Sequence, residues 1–144
     1  MIARTLLSCS MFCLCIGAAY ADEVIWRGKV NADGTPTTSI PLELHERYQI
    51  KVSESINLGK WNQDGEKLAN DAFYMFDKSK SVEKIESLKN SQDVPFDQGT
   101  YHPDHVYQSE PFVAKQNRIH FWVSDTNYDD NNGNFHVEIT HKEN

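Results

Sequence analysis

The residues 124–135, Ser-Asp-Thr-Asn-Tyr-Asp-Asp-Asn-Asn-Gly-Asn-Phe, concentrate the side chains that could do chemistry. They include three carboxylates, Asp125, Asp129 and Asp130, and no lysine or arginine. Two carboxylates held about 5 Å apart near a surface repel by roughly 3 kcal/mol at an effective dielectric of 20. A flexible loop relieves this by spreading out, whereas a loop fixed between two strands needs a counter-charge. Asp and Asn oxygens with freed backbone carbonyls are the donors a hard cation such as Ca2+ prefers. The same residue types also suit a plain turn, since Asn, Asp and Gly bond the local backbone and tolerate positive φ. An EF-hand is excluded. Counted from Asp125, the sixth position is Asp130 where Gly is required, and the twelfth is His136 where a bidentate Glu is required.

Other candidates are scattered. Tyr101-His102-Pro103-Asp104-His105 sets two histidines three apart. They could contact a ligand or help hold a transition metal, or they could be bonded to backbone in a proline turn. No third metal ligand is identifiable. Trp61, Trp122 and Tyr128 could stack on the apolar face of a sugar, though large aromatics more often pack. Trp61, in a polar stretch, is the best platform of the three. Catalysis finds no serine or cysteine nucleophile motif and no glycine-rich phosphate loop. The expectation is a protein that is not an enzyme; a hydrolase using His102, Asp104 or His105 is the remote alternative.

The elements that must position these residues read as strands. Ile119, Phe121 and Val123 alternate with His120 and Trp122, and Phe135, Val137 and Ile139 alternate with His136 and Glu138. Period-2 alternation of β-branched and aromatic residues predicts two half-buried strands, with the acidic run as the loop of a hairpin. His120 and His136 then lie on adjacent strands. Residues 24–30 and 48–52 predict two more strands. An Asp33-Gly34 turn follows the first, and Pro36 and Pro41 bound an extended piece. Residues 53–70 read as a long polar loop holding Trp61. The apolar run 71–76 reads as a central strand, residues 78–90 as a short helix or an edge strand, and residues 90–111 as loop. Many short strands between Gly, Pro, Asn and Asp predict an all-β fold, an antiparallel β-sandwich or jelly roll.

The chain has 144 residues, enough for one domain with a core. A basic start at Arg4, an apolar run over residues 5–17 and the small-x-small site Ala19-Tyr20-Ala21 predict a cleaved signal peptide, residues 1–21. The mature domain is then 22–144, secreted or periplasmic, with no membrane anchor. Leu6-Leu7-Ser8-Cys9 only loosely resembles a lipidation box. Cys9, Cys13 and Cys15 all lie in the leader, so the mature domain rests on packing, with or without a metal. Removing the leader takes away one base, Arg4, and no acid, moving the formal charge from −7 to −8. That argues against nucleic acid and anionic membrane as partners, since both want basic patches, and is compatible with neutral ligands such as sugars and with cations.

Trp26-Arg27-Gly28-Lys29-Val30 resembles the W-K-G-x-V opening of the bacterial galactophilic, LecA-like lectins. Thr38-Ser39-Ile40, Tyr48-Gln49-Ile50-Lys51-Val52 and Asp71-Ala72-Phe73 resemble later elements of that family in the same order. Residues 125–137 resemble its calcium loop. The resemblance covers nearly the whole mature domain. It implies a small jelly-roll sandwich, of the galactose-binding kind, that binds carbohydrate through Ca2+, with sugar hydroxyls completing the coordination and oligomerisation supplying avidity. It implies metal ligands at Asp125, Asp130 and Asn131, a carbonyl from Asn127 or Tyr128, and another near Leu42. Asp125, Asp130 and Asn131 would also touch the sugar, joined by Trp61, His102 and His105 as further candidates. The family's H-P-x-Q motif before D-A-F is missing here, and Leu42 stands where galactose binders have tyrosine, so galactose need not be the ligand. A protein-interaction or adhesion module with a structural calcium site is the alternative function.

Overall fold

The computed structural model describes residues 22–78, 80–96 and 99–143. The signal-peptide reading falls on residues outside this set. The fold is all-β and antiparallel throughout, as expected. The strands are β1 (Glu23–Asn31), β2 (Thr37–Thr38), β3 (Arg47–Ser53), β4 (Asn57–Leu58), β5 (Ala69–Asn70), β6 (Tyr74–Asp77), β7 (Lys80–Lys84), β8 (Leu88–Asn90), β9 (Tyr107–Gln108), β10 (Phe112–Val113), β11 (His120–Val123), β12 (Asn131–Asn132) and β13 (Asn134–Lys142).

The main sheet runs β1-β13-β3-β10, with β9 also on β3. Its register puts Val30 opposite Phe135, Val137 opposite Val52 and Ile139 opposite Ile50, all fully buried. The alternate residues Arg27, Glu138 and Lys51 form an ion-paired row on the outer face. A second sheet, β2-β11-β8, brings Phe121 and Val123 to the same core, with Ile119 just ahead of β11. Trp26 stacks on Phe121 across the core, centroids 5.9 Å apart. The ring reaches there by lying over Gly28, where any Cβ would sit 2.2 Å from it.

β11 and β13 do not pair, so the predicted hairpin is corrected. The alternation on both strands is real and all six apolar residues are fully buried. However, β11 takes β2 and β8 as neighbours and β13 takes β1 and β3. Period 2 reports which face is buried, not which strand lies alongside. The run 124–134 is therefore an arch between two sheets. His120 is bonded to Thr38 and does not face His136 across a ladder.

Residues 53–70 are not a simple loop. Ile56 bridges Asn70, Trp61 bridges Lys67, and Leu68 N–H donates to Lys60 O, which makes a hairpin with its tip at 62–66. Asn62 builds the tip, its Oδ1 accepting from the backbone N–H groups of Asp64 and Glu66. This hairpin continues through β5 into the small sheet β5-β6-β7. The strand expected at 71–76 starts only at Tyr74, because the chain first bends around Asp71. Residues 80–84 form an edge strand, not a helix, with Val82 outward and exposed.

Candidate functional site

Three strand exits meet around the acidic arch. Tyr128 is its strut. The hydroxyl donates to Val123 O at 3.2 Å and accepts from Asp125 N–H at 3.2 Å, and the ring lies on Gly34. Asn127 Oδ1 accepts from Asp129 N–H, and Asn127 Nδ2 donates to Asp130 Oδ1. Asn131 sits in β12, opposite Leu58 of β4. Its Nδ2 donates to Ala32 O at 2.9 Å, which leaves its Oδ1 buried with no partner. Asp125 Oδ1 accepts from Thr126 N–H, and Asp125 shares a cavity wall with Leu58 and Lys60.

Asp130 rests on Gly59, where a Cβ would lie 1.9 Å from its Oδ2. Asp125 and Asp130 thus flank the same Leu58–Gly59–Lys60 backbone. Gly59 is also at φ +68°, a region that costs a β-carbon residue about 1 kcal/mol or more. Gly59→Ala is expected to cost about 2 kcal/mol and to displace Asp130, measured as a lowered urea midpoint at unchanged slope.

Among the described residues, no cation lies within ion-pair distance of Asp125, Asp129 or Asp130. Nor do three His, Cys, Asp or Glu side chains converge there on a metal position. The donors the arch offers an ion are therefore mixed: two carboxylates, the free Asn131 oxygen and backbone carbonyls. That is a set for a hard cation and not for zinc.

Leu42 is not part of this set. Its N–H donates to Asn117 O, ahead of β11, while the arch leaves the other end of that strand, on the order of 20 Å away at about 3.3 Å per residue. The backbone that lies beside the arch from elsewhere in the chain includes Leu58 and Gly59, and Ala32, whose carbonyl accepts from Asn131. Trp61 follows two residues later on the hairpin and is 61% exposed, as a platform must be.

His102 and His105 are built into a different cluster. Asp71, fully buried, is its centre. Asp71 Oδ1 accepts from the N–H groups of Phe73 at 2.9 Å and Tyr74 at 2.7 Å. Its Oδ2 accepts from Tyr107 Oη at 2.9 Å and pairs with His105 Nδ1 at 3.3 Å. His105 stacks on Phe76 at 4.2 Å, and His102 stacks on Tyr107 and bonds Val106 O through Nδ1. None of these partners belongs to the arch. The signals for the cluster in the sequence are the 101–105 run and Asp71, a lone acid heading an apolar run.

Burial pushes the Tyr107 phenol far above its usual value, and the negative charge of Asp71 adds to this. The same two causes raise Tyr101. A phenol kept neutral in the fold ionises near pH 10 once unfolded. Stability is therefore intact below about pH 10 and is lost above it, at about 1.4 kcal/mol per pH unit for one fully shifted group. Tyr107→Phe is expected to flatten that alkaline decline in denaturation curves recorded from pH 9 to 11.5.

No protein-family model, curated protein or solved structure matches the chain.

Proposed function

We propose that the protein is a secreted, calcium-dependent carbohydrate-binding module, with the ion held by the arch between β11 and β13. The observation that carries this reading is the Asn131 oxygen, buried and without a partner among the described residues, in an arch whose carboxylates have no cation within ion-pair distance. A buried acceptor left unpaired costs about 1–3 kcal/mol, so natural folds rarely keep one without a purpose. Asp125, Asp130 and Asn131 would supply side-chain oxygens, and Asn127 or Tyr128 a carbonyl. The Leu58–Gly59 backbone takes the place the resemblance gave to Leu42. When bound, the ion supplies a Lewis-acid centre for sugar hydroxyls. The chain's own part is to fix the oxygens, and to offer the exposed Trp61 as a stacking face on the adjoining hairpin.

Of the two histidines, His102 is bonded to backbone at Val106 O, the turn alternative, and His105 is held by Asp71, so in this reading both shape the fold. The test is a glycan array on the mature protein, once with Ca2+ and once with chelator. Chelator-sensitive binding to a defined sugar class supports the reading. A calcium-raised melting temperature with no glycan bound in either condition overturns it in favour of an interaction module with a structural ion.

A further inference from the structure

A cavity of about 270 Å3 opens beside the arch, between the inner face of the 56–84 sheet and the ends of β8 and β11. Register defines its floor. Ile56 faces Asn70, Asn70 faces Met75 and Met75 faces Glu83, so these side chains share one face. Leu58 follows Ile56 on that face at period two, and Lys60 lines the same cavity beyond the Gly59 bend. Asn70 is the centre of the row. It is fully buried, and neither its Nδ2 nor its Oδ1 has a partner among the described residues. Around it stand Leu58, Met75 and Ile85, while Lys60, Glu83, Glu86 and Asp125 line the rest.

A buried primary amide presents one donor and one acceptor side by side. Its natural complement is another amide, which returns one acceptor and one donor in the same spacing. The apolar trio would receive a methyl group. The excess of carboxylates at the wall disfavours an anionic ligand. The volume lies just under the roughly 300 Å3 at which drug-sized pockets begin, so the cavity takes one group of a ligand and not the whole of it. We propose that this cavity is a subsite for the acetamido group of an N-acetylated amino sugar, read by Asn70. The proposal rests on the carbohydrate reading above, names its substrate class, and needs no metal at the subsite itself. Asn70 is sealed in this conformation. Met75, its cross-strand neighbour, is half-buried and unbranched, and is the side chain that turns aside to admit the group.

The experiment is a titration of 15N-labelled mature protein, following the Asn70 side-chain amide, assigned by its loss in Asn70→Leu. The probes are N-acetylglucosamine, glucose, and the peptide mimic N-acetylalanine methylamide. The expected result is movement of the Asn70 amide signals with N-acetylglucosamine only. Asn70→Leu should weaken that sugar at least tenfold while keeping or raising the melting temperature. Unmoved signals, equal movement with glucose, or movement with the peptide mimic alone overturn the assignment. Calcium-dependent array binding to sugars without acetamido groups, with Asn70 unmoved, sinks this inference and leaves the calcium reading standing. Movement of Asn70 with the array blank does the reverse.

Discussion

Asp71→Ala is expected to lower the stability of the domain by about 3–5 kcal/mol, read as a fall in the urea midpoint at unchanged slope. The carboxylate accepts two backbone N–H groups and a tyrosine hydroxyl and pairs with a histidine, all from a fully buried position. Each donor stripped of its acceptor inside the fold costs about 1–3 kcal/mol, with the partly exposed His105 at the low end. Since a domain of this size holds about 5–15 kcal/mol in all, the variant should sit near the edge of folding. Two controls separate network from volume. Asp71→Asn keeps the size but turns one oxygen into a donor, and should fall between wild type and alanine. Tyr107→Phe removes one hydroxyl and should cost about 1–2 kcal/mol. An Asp71→Ala loss below 1 kcal/mol would show that the network is dispensable.

The second large effect concerns the ion. At a Ca2+ concentration about a hundredfold above the dissociation constant, binding to the native state alone adds about 2.7 kcal/mol. For a domain of this length that is roughly 10 °C in melting temperature. Asp125→Ala is expected to abolish this gain and sugar binding together, measured by calorimetric titration and by melting with and without chelator. Asn131→Leu should do the same to the calcium gain with little net change in the stability of the ion-free protein, because it removes the unpaired buried oxygen and, with it, the bond to Ala32 O. Sugar binding retained in Asp125→Ala contradicts the proposed mechanism.

Local pattern made part of this molecule legible. The alternation at 119–123 and 135–139 named six residues that are fully buried, and the acidic run between them is a surface feature as expected. What the pattern lacked was partnership. Strand pairing in an antiparallel sandwich is decided by which apolar faces fit across the core, so Trp26 lying over Gly28 to meet Phe121 leaves no trace in spacing. Polar composition likewise hid the hairpin at 56–70, where Asn57 and Asn62 satisfy backbone groups and Ile56, Leu58 and Leu68 face inward. Asp71 lies 34 residues from His105 and 36 from Tyr107, beyond the reach of any motif. At the arch residue type alone named the three carboxylates, and the family resemblance named Asn131. That Leu58 lies opposite Asn131 could not be read, because it follows from the β4–β12 pairing, which leaves no local pattern.

The pairing of β1 with β13 sets the order in which this chain can assemble. Among the described residues the longest ladder joins the first strand to the last, as in the Arg27–Glu138 pair, 111 residues apart. The β1 ladder itself cannot form until β13 has been made, and the nearby β2 offers β1 a bond from Thr37 Oγ1 to Lys29 O. The contact order is accordingly high, and folding is expected on the slow, millisecond-to-second side of the range for small domains. Until then Trp26 and Val30 remain uncovered on an unpaired strand. A chain built this way gains from being kept extended until its synthesis is finished.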